Sequence, residues 1–136
     1  MKKFAILVLF LVVAQVAVMF SQQNTQTKTA KDFPLLKPTF VVSDIYVAMQ
    51  ILEGIDLNGN EVDAFLEVKN TLKSFLEKAQ NDKLKATDLI KVDFPGHIAQ
   101  NTMTFLGRSV LKGNMAEAYK RFVDALIESS KDVKSK

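Results

Sequence analysis

The sequence predicts an all-α fold, a four-helix bundle built from two αα-hairpins. Three observations lead there. Apolar residues recur at helical spacing through most of the chain. Residues that start or stop helices (Gly54, Asn60, Gly113 and Asn114) fall at the ends of the periodic stretches. The 136 residues include ten Phe and five Met but no Cys. A domain of this size without disulfides must be held by apolar packing alone.

The N-terminal segment 1–21, MKKFAILVLFLVVAQVAVMFS, opens with Lys2 and Lys3, runs apolar from Phe4 to Phe20 with a break at Gln15, and turns polar after Ser21. This is the layout of a secretory signal peptide. Cleavage is expected after Ser21 or Ala17. A retained anchor is the competing reading, but the apolar run is near the lower limit of roughly 17–25 residues for a spanning helix. No basic cluster follows before Lys28, and no cysteine is present to carry a lipid. The expected location is therefore secreted or extracellular (periplasmic in a bacterium), with no membrane span after cleavage.

The whole chain has eighteen Lys and Arg against fifteen Asp and Glu. Removing the signal takes two basic residues and no acidic ones, leaving a near-neutral protein. Nucleic-acid binding wants a dense basic face, so no nucleic-acid partner is expected. Asn24, Asn70 and Asn101 are each followed directly by Thr, so none begins an N-x-Ser/Thr sequon.

Residues 22–38 read as a flexible and then extended leader, with prolines at 34 and 38. The helical domain is expected over 39–130. Its first helix spans Thr39 to Glu53 on Val41, Ile45, Ala48 and Leu52, with Gly54 as its stop. Asn60 caps the second, which runs to Gln80 with Phe65, Val68, Leu72, Phe75 and Ala79 as one stripe. A short fifth helix fits Thr87 to Val92. Another spans Pro95 to Lys112, and Asn114 caps the last, which ends near Ser130. Residues 131–136 are expected as a frayed tail. Phe65, Leu72, Phe75, Phe105, Phe122 and Leu126 should share one core.

Short motifs also recur. Asp32-Phe33-Pro34 returns as Asp93-Phe94-Pro95, Ile51-Leu52-Glu53-Gly54 as Val110-Leu111-Lys112-Gly113, and the segment from Asn60 as the segment from Asn114. The steps are 61, 59 and 54 positions. Matches in the same order admit an internal duplication of the hairpin, although helical proteins reuse such signals by chance.

Chemical signatures are sparse. Asp56, Asn58, Asn60 and Glu67 imitate an EF-hand calcium loop, but Glu61 stands where the loop needs glycine. His97 is the one histidine and lies in no metal-ligand or triad spacing. No enzymatic activity, metal or cofactor is expected. The function expected is that of a secreted, non-enzymatic helical protein acting on an unknown extracellular protein, as an effector, inhibitor or secreted factor. The alternative is a carrier of a small hydrophobic or amphiphilic ligand, lipid-like in character. For that ligand the candidate residues are Thr102, Phe105, Gly107 and Ser109, where small and polar groups interrupt an apolar stripe.

Overall fold

The computed structural model describes residues 33–134. The signal and most of the leader lie outside these residues. The described chain is mostly helical and carries two small antiparallel sheets. Its elements are β1 (Leu35–Leu36), β2 (Thr39–Val41), α1 (Val42–Glu53), α2 (Val62–Asn81), β3 (Leu89–Lys91), β4 (Phe94–Pro95), α3 (Gly96–Gly107) and α4 (Ala116–Lys134). Single 3₁₀ turns at Gly59–Glu61 and Gly113–Met115 lead into α2 and α4. No helix among the described residues is long and apolar enough to cross a membrane.

The strands correct the all-α expectation. From Leu35 to Phe40 the side chains alternate, with Leu36, Pro38 and Phe40 inside and Leu35, Lys37 and Thr39 outside. The period of two is that of a pleated strand. Residues 89–94 repeat it, with Ile90, Val92 and Phe94 inside. The segment expected as a short helix over Thr87–Val92 is therefore strand β3, and part of the expected leader is β1. Helix α4 also continues past Ser130 to Lys134. The strands were hard to read because prolines break their runs and each is only two or three residues long.

Both sheets take one strand from each half of the chain. β1 pairs with β4, Leu35 opposite Pro95 and Leu36 opposite Phe94. β2 pairs with β3, with Phe40 opposite Ile90 at the centre. The helices follow the same exchange: α1 packs on α4, and α2 on α3.

A single step of 54 positions relates the two halves. Leu35 maps to Leu89, Val42 to Gly96, Gly59 to Gly113 and Val62 to Ala116, so every element start but that of β2 is reproduced. Burial repeats with it: residue by residue, the pattern over 35–60 matches that over 89–114. Interchanging the halves maps one sheet onto the other, Leu35–Pro95 onto Leu89–Val41 and Leu36–Phe94 onto Ile90–Phe40, which is the signature of an approximate two-fold axis. Of the three motif matches in the sequence, only the one from Asn60 to Asn114 follows this step. Phe33-Pro34 precedes β1 whereas Phe94-Pro95 forms β4. Gly54 follows α1 whereas Gly113 begins a 3₁₀ turn.

The interior is one apolar cluster, and it contains all six residues expected there, from Phe65 to Leu126. The inward Phe40 and Phe94, equivalent in the two halves, meet edge to face at 6.3 Å. Phe122 stacks on Phe40 at 4.4 Å, and Phe75 meets Phe94 edge-on at 5.2 Å. Such pairs add about 0.5–1.5 kcal/mol beyond their burial. The Phe40–Phe122 stack draws α4 over the strands of the first half.

Candidate functional site

The four residues singled out on α3 and beyond it do not share one cavity. Thr102 is buried, and its hydroxyl donates to the Ile98 carbonyl at 2.8 Å, a local bond back to the preceding turn. Phe105 is buried edge-on against Phe65, with ring centres 5.5 Å apart. Gly107 ends α3 with open space where a side chain would stand. Ser109 lines a separate hollow with Gly54, Asp56, Arg108 and Val110, and its hydroxyl donates to the Leu106 carbonyl at 2.6 Å.

That hollow lies where the loops after α1 and α3 meet, at matching places in the two halves. Arg108 organises it. Its guanidinium donates to the Glu61 carboxylate at 2.6 Å and to the Asp56 carbonyl at 3.3 Å. The other Glu61 oxygen accepts the Asn58 backbone N–H at 2.9 Å. The Asn58 bond and then the Arg108 contact hold the Glu61 carboxyl below its ordinary 4.5. The stretch that imitates a calcium loop is thus a turn closed by Glu61, and the turn into α2 is anchored at Asn58, two residues before the expected cap at Asn60. Among the described residues no group of three His, Cys, Asp or Glu could hold a metal ion.

Two polar contacts join the halves through equivalent positions on the second helices, Arg121 and Glu67. Asp44 on α1 is 1 % exposed and receives a two-pronged bond from Arg121 on α4, Nε at 2.9 Å and Nη2 at 2.7 Å. Asp44 raises the pKa of Arg121 further above its ordinary value. Arg121 maps to Glu67 in the first half, and Glu67 touches His97 on α3 at 3.3 Å. His97 also tilts against Phe33, 6.2 Å away. Both contacts tie a second helix to the other half's first helix.

An open, mostly apolar cleft lies between α3 and α4. There Gly96, Ala99, Gln100 and Met103 face Leu126, Ile127 and Ser130, with Leu36 beside them. The cleft encloses about 190 Å³, and Ile127 stands 41 % exposed at its edge. Its cause is legible in the repeat. The first-half counterparts of Gly96, Ala99, Gln100 and Ser130 are Val42, Ile45, Tyr46 and Leu76. Three of the four replacements remove branched aliphatic groups. The gap does not collapse, because the Phe122 stack and the Arg121 fork hold α4 on the far side. Accordingly α1 packs directly on α2, while α3 and α4 scarcely meet. Sequence reasoning missed this site because it compared motifs at unequal steps; the step of 54 sets the small residues against their larger counterparts.

Gly96 has a second duty. A Cβ there would stand 2.6 Å from the Pro34 carbonyl, and its N–H donates to that same oxygen at 3.0 Å. Only glycine lets the entry segment lie this close to α3.

Comparison of the chain with known protein families, with curated proteins and with solved structures finds no match.

Proposed function

We propose that this is an exported, non-catalytic protein that works by contact with another protein, and that its helices form two αα-hairpins descended from one duplicated unit. Export is supported by the basic, apolar and polar order of residues 1–23. Duplication is supported by the single step of 54 that carries elements and burial together. The interaction reading rests above all on the apolar cleft between α3 and α4, with Ile127 exposed at its edge. The buried polar side chains speak for structure: Asp44, Thr102 and Ser129 each have a hydrogen-bond partner.

The carrier reading cannot rest on Thr102 and Phe105, which are packed into the core; a hollow of about 400 Å³ beside Leu35, Lys37, Lys91 and Ser129 is roomier than the cleft but is lined by charged groups as well. At about 190 Å³ the cleft takes a side chain or two and falls short of the roughly 300–1,000 Å³ of a typical small-molecule pocket. Contact with a protein is the better fit.

The test begins with export from the native host or a close surrogate. N-terminal sequencing of the released protein should start near Gln22, or at Val18 if Ala17 is used. A photo-cross-linking amino acid in place of Ile127 should then trap a discrete partner that the same group at the equivalent Lys73 does not. Recovery only in membranes with Met1 intact would overturn export. Absence of any trapped species from either position would overturn the interaction reading.

A further inference from the structure

We propose that Asn58 is a self-modifying site. Its side-chain amide reacts with the backbone nitrogen of Gly59, loses ammonia and leaves an aspartate or isoaspartate in the turn before α2, with the Glu61–Arg108 contact as the brake. The site is separate from the α3–α4 cleft. Asn58 is the one asparagine of the chain followed by glycine; every other precedes Thr, Glu, Asp or Met. The neighbour matters because its nitrogen must approach the asparagine side chain, and only glycine brings no Cβ to crowd the approach. Asn58 and Gly59 are both exposed, and nothing lies within 4 Å of the place a Gly59 Cβ would take. Gly59 opens the 3₁₀ turn, so its N–H has no acceptor within that turn.

The step needs only the chain and water. The Gly59 nitrogen bonds to Cγ of Asn58, the Cγ–Nδ2 bond breaks, and the hydrogen from Gly59 leaves with Nδ2 as ammonia. Water then opens the five-membered succinimide at either carbonyl. Attack at Cγ leaves aspartate. Attack at the main-chain carbonyl leaves isoaspartate, whose backbone runs through the side chain and is one carbon longer.

The closed loop restrains the reaction. Asn58 is extended (φ −81°, ψ 150°), and this backbone must rotate before its side chain can meet the Gly59 nitrogen. Glu61 resists that rotation at three points. Its Oε2 accepts the Asn58 N–H at 2.9 Å and Nδ2 at 3.1 Å, and its own N–H donates to the Asn58 carbonyl at 2.9 Å. Arg108, from the second half, fixes Glu61 through Oε1 at 2.6 Å. Ring closure therefore proceeds from opened conformations of the loop, and its rate reports how often the two halves let go here. The products differ in effect. Aspartate caps a helix as well as asparagine does. Isoaspartate lengthens the backbone and breaks the spacing from Asn58 to Glu61. The second half has Lys112 and Met115 at these two places and is spared.

The test ages the full mature chain at mildly alkaline pH and follows each asparagine by peptide mapping, with electron-transfer fragmentation to tell aspartate from isoaspartate. Asn58 should convert ahead of the others, and faster as pH rises, because the attacking nitrogen must lose its proton. Gly59→Ala, for which the space is open, should slow conversion roughly tenfold while the thermal midpoint holds. Arg108→Ala and Glu61→Gln, each confirmed folded by circular dichroism, should speed it about fivefold, the worth of a lost cap. The isoaspartate form, isolated by ion exchange, should lose amide protection at Asn58–Glu61, whereas the Asn58→Asp variant keeps it. The site is overturned if another asparagine converts first, if Gly59→Ala converts as fast as the parent, or if the folded parent stays intact while the urea-unfolded chain converts completely. Equal rates in the parent and in both folded loop variants would overturn the brake. Unchanged protection in the isoaspartate form would overturn its effect on the loop.

Discussion

In the first half Val42, Ile45 and Leu76 stand where Gly96, Ala99 and Ser130 stand in the second, and α1 packs directly on α2 whereas α3 and α4 scarcely meet. The backbone plan is the same, down to the residue at which each helix begins. The difference lies in side-chain volume and in where the second helix is held. α4 is bound to α1 by a carboxylate fork and to β2 by a stacked ring pair. Its counterpart α2 has Glu67 and Val68 at those places. A repeat thus contains its own control: whatever one copy lacks and the other retains is a candidate for specialised use.

The largest expected effect tests whether the halves really differ in packing. Leu72 and Leu126 are equivalent, and both are buried. Leu72 is enclosed on all sides, whereas Leu126 also faces the cleft. Leu72→Ala should cost about 2–5 kcal/mol, because a cavity is left in a packed interior. Leu126→Ala should cost measurably less, since one side of it already lacks partner atoms. Denaturant midpoints of the two variants decide it; equal losses would mean that the cleft does not relieve packing around α4.

The next effect concerns the polar tie that only one half possesses in buried form. Arg121→Ala would strand the buried Asp44 carboxylate and should cost about 1–3 kcal/mol, held to that range by the half-exposed arginine. Asp44→Ile installs the residue that the second half has at the same place, Ile98, and frees Arg121 to water. It should leave stability within about 1 kcal/mol of the parent, because apolar replacement of a buried charge is often neutral. A large loss from Asp44→Ile and none from Arg121→Ala would invert the argument.

The smallest effect is a pH dependence confined to one loop. Glu61 maps to Met115, so only the first-half turn is closed by a carboxylate. Its folded pKa lies below the ordinary 4.5, so its contribution is complete above that value and is lost as pH falls through the folded pKa. Amide protection relative to the intrinsic exchange rate should therefore fall on acidification at Asn58–Glu61 before it falls at Lys112–Met115. Glu61→Gln should remove the difference in acid sensitivity between the two loops.

Much of the fold was legible because long helices advertise themselves. The stripe from Phe65 to Ala79 on α2 gave its inward face, and the six expected core residues lie in one cluster. The strands escaped for a physical reason: two or three residues carry too few periods to separate from helix ends, and Pro34, Pro38 and Pro95 mask the alternation. The start of α1 was misplaced at Thr39 because its first N–H groups are satisfied by Ala86 and Asp88, residues far along the chain that no local cap announces. The cleft was invisible for a related reason. Gly96 and Ala99 read locally as an ordinary helix start, and their meaning comes from what the other copy has instead.

The exchange of strands between halves bears on how the chain is made. Pairing Leu35 with Pro95 closes a loop of about sixty residues, and Phe40 stays uncovered until Phe94 and Phe122 arrive. Closing such loops is slow compared with forming helices. A chain synthesised N-terminus first must therefore keep its first half unfinished, with aromatic surface showing, until the second half is made. Neither half can serve as a separate folding unit, because each sheet takes one strand from each half. Both should gain protection in a single kinetic phase, and a chain cut between Asn81 and Leu89 should stay together as two interlocked fragments.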